Sequence, residues 1–89
     1  MLTEQIIATK IRTIREAKNY SQFYVAYKLN ISQNTFSKIE LGYVKLTVAR
    51  LIEIARILEI SVPDLLNENL LLLQPELAVI NQTTTINNN

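Results

Sequence analysis

The sequence predicts an all-α protein, a compact five-helix domain with a short C-terminal extension. Three observations predict it. Apolar residues recur at helical spacing from Ile7 to Leu66; a Ser or Thr stands ahead of each such stretch after the first; and one glycine with two prolines in 89 residues leaves little material for hairpin turns. A chain of this length with 48% apolar and 19% charged residues sustains one small hydrophobic core, so a single domain is expected at residues 1–69.

Ile7, Ile11 and Ile14 fall at i, i+4 and i+7 and give a first helix over residues 4–18, with Lys10, Arg12 and Lys18 largely off the stripe. Asn19 and Tyr20 break the pattern, and Ser21 caps a second helix from Gln22 to Leu29 that turns Val25, Ala26 and Leu29 inward. Phe23, Tyr24 and Tyr27 fall mostly on other faces. Asn30 and Ile31 leave room only for a tight turn before Ser32 caps a third helix, Gln33 to Leu41. There Phe36 and Ile39 are spaced for burial, while Gln33, Asn34, Ser37 and Lys38 decorate the opposite surface. Gly42 stands where this helix needs a residue at positive φ to end. Thr47 caps a fourth helix with the apolar set Val48, Leu51, Ile52, Ala55 and Leu58. Ser61 opens a fifth, with Pro63 tolerated in its first turn, Asp64 at the positive end of the dipole, and Leu65 and Leu66 inward.

The chain contains neither Cys nor His, which removes the usual soft metal ligands, a thiol nucleophile, an imidazole base and any disulfide. No glycine-rich phosphate loop or paired carboxylate is evident either, so an enzyme, a metal site and a cofactor are not expected. The longest apolar run, Leu70 to Leu73, falls far short of the roughly 20 residues that span a bilayer, and no basic region leads into an apolar stretch at the N-terminus. A cytoplasmic location, away from membranes, is the expectation. Net charge is only +1, but it is unevenly spread. Residues 10–50 carry eight Lys and Arg against two Glu, a balance of +6, whereas residues 51–89 carry one Arg against five acidic residues, a balance of −4. A basic half joined to an acidic half is expected where one face meets a polyanion.

Two short helices joined by a tight turn, the second opening on small polar residues, meet the physical specification of a helix-turn-helix. The sequence resembles the Cro/CI-type, lambda-repressor-like helix-turn-helix DNA-binding family from about Ile7 to Leu66. The positions that carry the resemblance are Ile11, Ile14, Arg15 and Glu16; Ser21, Gln22, Val25, Ala26 and Leu29; Ile31, Ser32, Phe36, Ser37, Ile39, Glu40 and Gly42; and Leu51, Ile54, Ala55, Leu58, Ile60, Ser61, Leu65 and Leu66. Four positions depart from the family pattern: Leu46 stands where Pro is frequent, Asn30 and Glu59 where Gly is frequent, and Leu41 where a polar or basic residue is usual.

The resemblance implies a sequence-specific regulator of transcription, repressor-like, that reads double-stranded DNA in the major groove with its third helix. Gln33, Asn34 and Lys38 match base-reading positions. Their chemistry suits the task, since amides fit the N6/N7 edge of adenine and an ammonium fits O6/N7 of guanine. Ser21, Gln22, Ser32, Thr35, Ser37, Tyr43 and Lys45 are expected on the DNA backbone, where hydroxyls, amides and helix N-termini hold phosphates. For Ser21 and Ser32, helix capping and phosphate contact both stay open. Arg15 and Glu40 match positions that form a structural salt bridge between the first and third helices, with Arg15 as another phosphate ligand the alternative. Ala26 is small because the second helix must approach the third closely.

One such module gives only about 10⁻⁴ to 10⁻⁶ M non-specific affinity, so a homodimer on a palindromic operator is expected. Residues 70–80 hold Leu70, Leu71, Leu72, Leu73, Leu77, Val79 and Ile80, a large apolar patch unless something covers it. The segment is the candidate dimer contact, by extending the fifth helix or adding a strand across a two-fold axis; folding back on its own domain is the alternative. A different function would also suit it, that of an antitoxin-type or accessory protein whose C-terminal segment binds a partner protein while the helix-turn-helix autoregulates its operon. Residues 81–89, rich in Asn and Thr, read as a disordered tail.

Overall fold

A hydroxyl side chain starts every helix. The computed structural model describes residues 1–67, and in them the chain forms α1 (Glu4–Ala17), α2 (Gln22–Leu29), α3 (Gln33–Glu40), α4 (Val48–Leu58) and α5 (Val62–Leu65), with no strand among the described residues. Thr3, Ser21, Ser32, Thr47 and Ser61 each accept a hydrogen bond from the backbone N–H three residues on, that of Ile6, Tyr24, Thr35, Arg50 and Asp64 respectively. Each cap contributes about 0.5–2 kcal/mol. The expectations for residues 70–80 and 81–89 lie outside the described residues.

The four longer helices also end alike. Asn19, Asn30, Gly42 and Glu59 adopt left-handed φ of 61°, 60°, 75° and 58°. The residue after each donates its N–H back across the last turn: Tyr20 to the Arg15 carbonyl at 3.1 Å, and Ile31 to Ala26, Tyr43 to Lys38 and Ile60 to Ala55 at 3.0 Å each. This is the Schellman closure, which satisfies carbonyls that a helix end would otherwise leave unpaired. Only Gly42 is a glycine, and its φ of 75° favours one; a Cβ there would meet the Gln5 amide, the end of an exposed side chain that can move aside. Asn accepts the left-handed conformation readily, whereas Glu59 holds it at a cost of about 1–2 kcal/mol.

These tight ends let the helices close around one core. Ile11, Val25, Phe36, Ile54, Leu58 and Leu65 are the largest fully buried side chains. α3 packs on α1 and α2, α2 also packs on α4, and α5 closes the bundle against α1 and α4. Ala26 is buried in the α2 face, where its lack of bulk lets the neighbouring helices approach. The inner face of α4 differs from the one its sequence suggested. Val48 and Ile52 are 72% and 42% exposed, and Ile54 is buried instead beside Leu51, Ala55 and Leu58. The sequence Val48–Leu58 is apolar at so many positions that two stripes of the same i, i+3, i+4, i+7 spacing fit it, 48, 51, 52 and 55 or 51, 54, 55 and 58; the packing of α4 against α1, α2 and α5 selects the second.

Lys10 also departs from expectation. Its place off the Ile stripe suggested a surface charge, yet it is only 4% exposed. Its ammonium donates to the Asp64 carbonyl oxygen and, at 2.8 Å, to that of Asn67, tying α1 to the C-terminal end of α5. A helix C-terminus carries partial negative charge, so a cation there is favourable. Burial holds the pKa of Lys10 below the usual lysine value, with the Asp64 carboxylate partly opposing that shift. Lys10→Met, which keeps the stem and deletes the donor, should lower unfolding free energy by about 1–3 kcal/mol in urea titrations, because it removes two charge-assisted hydrogen bonds in a partly buried site. An unchanged midpoint would show that the clamp contributes nothing.

Candidate nucleic-acid interface

Two eight-residue helices, α2 and α3, are joined by only Asn30, Ile31 and Ser32. Neither is long enough to be stable alone in water, so their mutual orientation is a tertiary property. α3 buries Phe36, Ile39 and Glu40 along one face. At about 100° per residue, Asn34, Lys38 and Leu41 then form the line most directly opposed to that face, within about 60° of arc. Gln33, the first residue of the helix, lies about 100° around the axis from Asn34, on the side of Phe36 and Glu40. Gln33, Asn34 and Lys38 are all exposed, and none of the three spends its side chain on a hydrogen bond or ion pair among the described residues.

The residues expected on the DNA backbone are arranged around this line. Ser21 and Ser32 are exposed and use their hydroxyl oxygens as caps, and the Ser32 hydroxyl also donates to Thr35 Oγ1 at 2.8 Å. Ser37 is half-buried, while Tyr43 and Lys45 are exposed in the segment after α3. Gln22 is half-buried, and its amide nitrogen donates to Glu40 Oε1 at 2.9 Å. Thr35 and Lys45 line one shallow groove with Thr47 and Arg50, at the start of α4. The last two were not singled out from the sequence. Thr47 is conspicuous there only as a cap, and Arg50 is set beside the groove by the turn through Val44 and Leu46. Arg50 also pairs with Glu53 at 3.2 Å.

What holds α3 in place is a buried polar cluster. Arg15 Nε donates to Glu40 Oε2 at 2.6 Å and its NH2 to Oε1 at 3.1 Å, a bidentate pair. Arg15 NH1 donates to the Tyr20 carbonyl at 2.7 Å, and Gln22 adds the bond noted above. Arg15 and Glu40 are 8% and 5% exposed, so Arg15 is directed into the protein and its charge is spent inside it. The cluster joins α1, the α1–α2 turn, the first residue of α2 and the last turn of α3.

Burial of Arg15 and Lys10 changes the electrostatic argument. Both were counted among the basic residues facing a polyanion, and neither does. Of the other cations in residues 10–50, Lys28, Lys38 and Lys45 are exposed and without an ion-pair partner among the described residues, whereas Lys18 and Arg50 pair with Glu59 and Glu53. Between Glu16 and Glu53 the only carboxylate is that of Glu40, and it is buried. The surface therefore remains positive for want of anions. Among the described residues, no cluster of carboxylates could hold a metal ion, and no helix is long and apolar enough to cross a membrane.

The chain belongs to the helix-turn-helix family, whose model matches residues 11–65, from α1 to the end of α5. The five-helix arrangement is lambda-repressor-like, and the protein is a DNA-binding module. In structure it is similar to the crystal structure of the clp gene regulator ClgR from Corynebacterium glutamicum, with a TM-score of 0.71 at 19% sequence identity, over 96% of this chain and 86% of that one. At that identity the likeness bears on the fold alone. No curated protein matches the sequence.

Removing one partner of a buried ion pair leaves an uncompensated charge, which costs about 3–5 kcal/mol. Glu40→Ala should therefore destabilise the domain by about that amount in chemical denaturation, and the double variant Arg15→Met, Glu40→Leu should lose much less than the two single changes summed. Strict additivity would show that the two side chains do not act as a pair.

Proposed function

We propose that the protein is a sequence-specific transcriptional regulator of the Cro/CI type, acting in the cytoplasm as a homodimer that lays α3 into the major groove of a palindromic operator and represses by occupying it. One observation carries this reading: Asn34 and Lys38 stand exposed and unengaged on the outer side of a short helix whose other side is buried and tied down by Arg15 and Glu40, with Gln33 exposed and unengaged at its first residue. The helix that carries them is held before binding, so only the side chains themselves have to be ordered on meeting base edges. The amides of Gln33 and Asn34 offer the donor and acceptor pair that adenine requires, and Lys38 offers a donor to guanine. Ser21, Gln22, Ser32, Thr35, Ser37, Tyr43 and Lys45 hold the backbone on either side. The regulatory role named for ClgR is in keeping with this reading, and the fold that the two share supplies the same means of presenting a recognition helix.

A duplex pool selected on the purified protein should yield two inverted half-sites, centred about 34 Å or one helical turn apart. Against the selected site, Gln33→Ala or Asn34→Ala should lose about 1–3 kcal/mol of binding with thermal stability nearly intact. Lys45→Ala should weaken all sequences alike and reduce the slope of log affinity against log salt by about 1. Normal operator binding by Asn34→Ala would refute the base-reading assignment.

A further inference from the structure

Leu41 is an oddity on this surface. Its family position is usually polar or basic, yet it is a leucine, and it is 42% exposed. It is the C-cap of α3 and keeps helical backbone angles, φ −86° and ψ −6°, so its side chain continues the line of the helix. That line runs Asn34, Lys38, Leu41, at i, i+4 and i+7, on the side opposed to Phe36 and Ile39. A scattered exposed leucine needs no explanation. One in register with two unengaged polar side chains on a helix presented to DNA does, because the major groove offers one apolar feature, the C5-methyl of thymine.

Resting on the function proposed above, we propose that Leu41 is a specificity-determining residue that reads a thymine methyl group. Seven residues of helix separate Asn34 from Leu41 by about 10 Å along the α3 axis, which spans at most about three base pairs of the duplex. The polar contacts of Asn34 and Lys38 and the apolar contact of Leu41 thus address successive steps of one half-site. A polar residue at position 41 would serve the DNA backbone equally well in any sequence. A leucine has nothing to offer a phosphate, and gains only where a methyl group meets it.

The test is a thymine-to-uracil scan of the selected operator, which deletes one methyl group at a time without altering any Watson–Crick hydrogen bond. The unsubstituted protein should lose about three- to tenfold in affinity at one thymine per half-site, lying within about three base pairs of, and distinct from, the base whose preference Asn34→Ala relaxes. Leu41→Gln, similar in size and polar, should bind the thymine and uracil versions of that position equally, whereas Leu41→Met should keep the discrimination. Circular dichroism melting checks that both variants fold. If Leu41→Gln does not, the position of the methyl-sensitive thymine relative to the Asn34 base, read on the unsubstituted protein, decides instead. An operator with a clear consensus but no methyl-sensitive thymine, or one equally sensitive with Leu41→Gln, overturns the role of Leu41 and leaves base reading by Gln33 and Asn34 standing. Failure to select any consensus overturns both.

Discussion

The structure depends on the buried contact between Arg15 and Glu40. α2 and α3 are eight residues each and bury little surface of their own, so something beyond local propensity must set the angle at which α3 is presented. Apolar packing of Phe36 and Ile39 holds α3 against the bundle, but packing alone tolerates small rotations of a helix about its axis. A bidentate guanidinium–carboxylate pair does not, because both hydrogen bonds require one plane and one distance. The Gln22 amide and the Tyr20 carbonyl complete the cluster, so that among the described residues no buried side-chain nitrogen or oxygen lacks a partner. A satisfied polar cluster of this kind fixes one arrangement among several that would bury the same apolar area.

The helix ends extend that logic to the rest of the chain. With a hydroxyl cap at each start and a left-handed residue at the end of the four longer helices, the connections need only a few residues and carry little slack. In the turn between α2 and α3, Asn30 reverses the backbone, Ile31 closes the Schellman bond and packs on the core, and Ser32 caps the next helix. All three residues are committed. Glu59 shows how strongly the topology demands such an end, since a residue ill suited to positive φ adopts it there.

Most of this architecture is legible in the sequence because its signals are local. Ser21, Ser32, Thr47 and Ser61 announce helices by chemistry that acts across three residues, and Gly42 announces an end by its freedom at positive φ. The exposure of Asn34 and Lys38 follows from the spacing of Phe36 and Ile39, and that of Gln33 from its place at the first residue of α3. What escaped is settled by tertiary contact. Thr3 was overlooked because it precedes the first apolar stripe by several residues. The inner face of α4 was misread because Val48 and Ile52 are as apolar as Ile54, and only the approach of its neighbours decides between them. Lys10 was read as a surface charge because nothing near it in sequence reveals that the carbonyls of Asp64 and Asn67 will meet it.

The same cluster that orients α3 also shapes its field. A carboxylate on a recognition helix would repel the phosphates on either side of the groove, and Glu40 is the only one α3 carries. Folding buries it against Arg15, so its charge is neutralised within the protein and does not reach the surface. The guanidinium is withdrawn by the same step, yet the surface loses nothing it needs, because Lys28, Lys38 and Lys45 remain with no exposed anion between Glu16 and Glu53 to cancel them. A modest net charge of +1 is therefore compatible with a strongly one-sided field. The sign of that charge is already present in residues 10–50, with eight Lys and Arg against two Glu; burying Arg15 with Glu40 removes one charge of each sign and leaves the balance as it was.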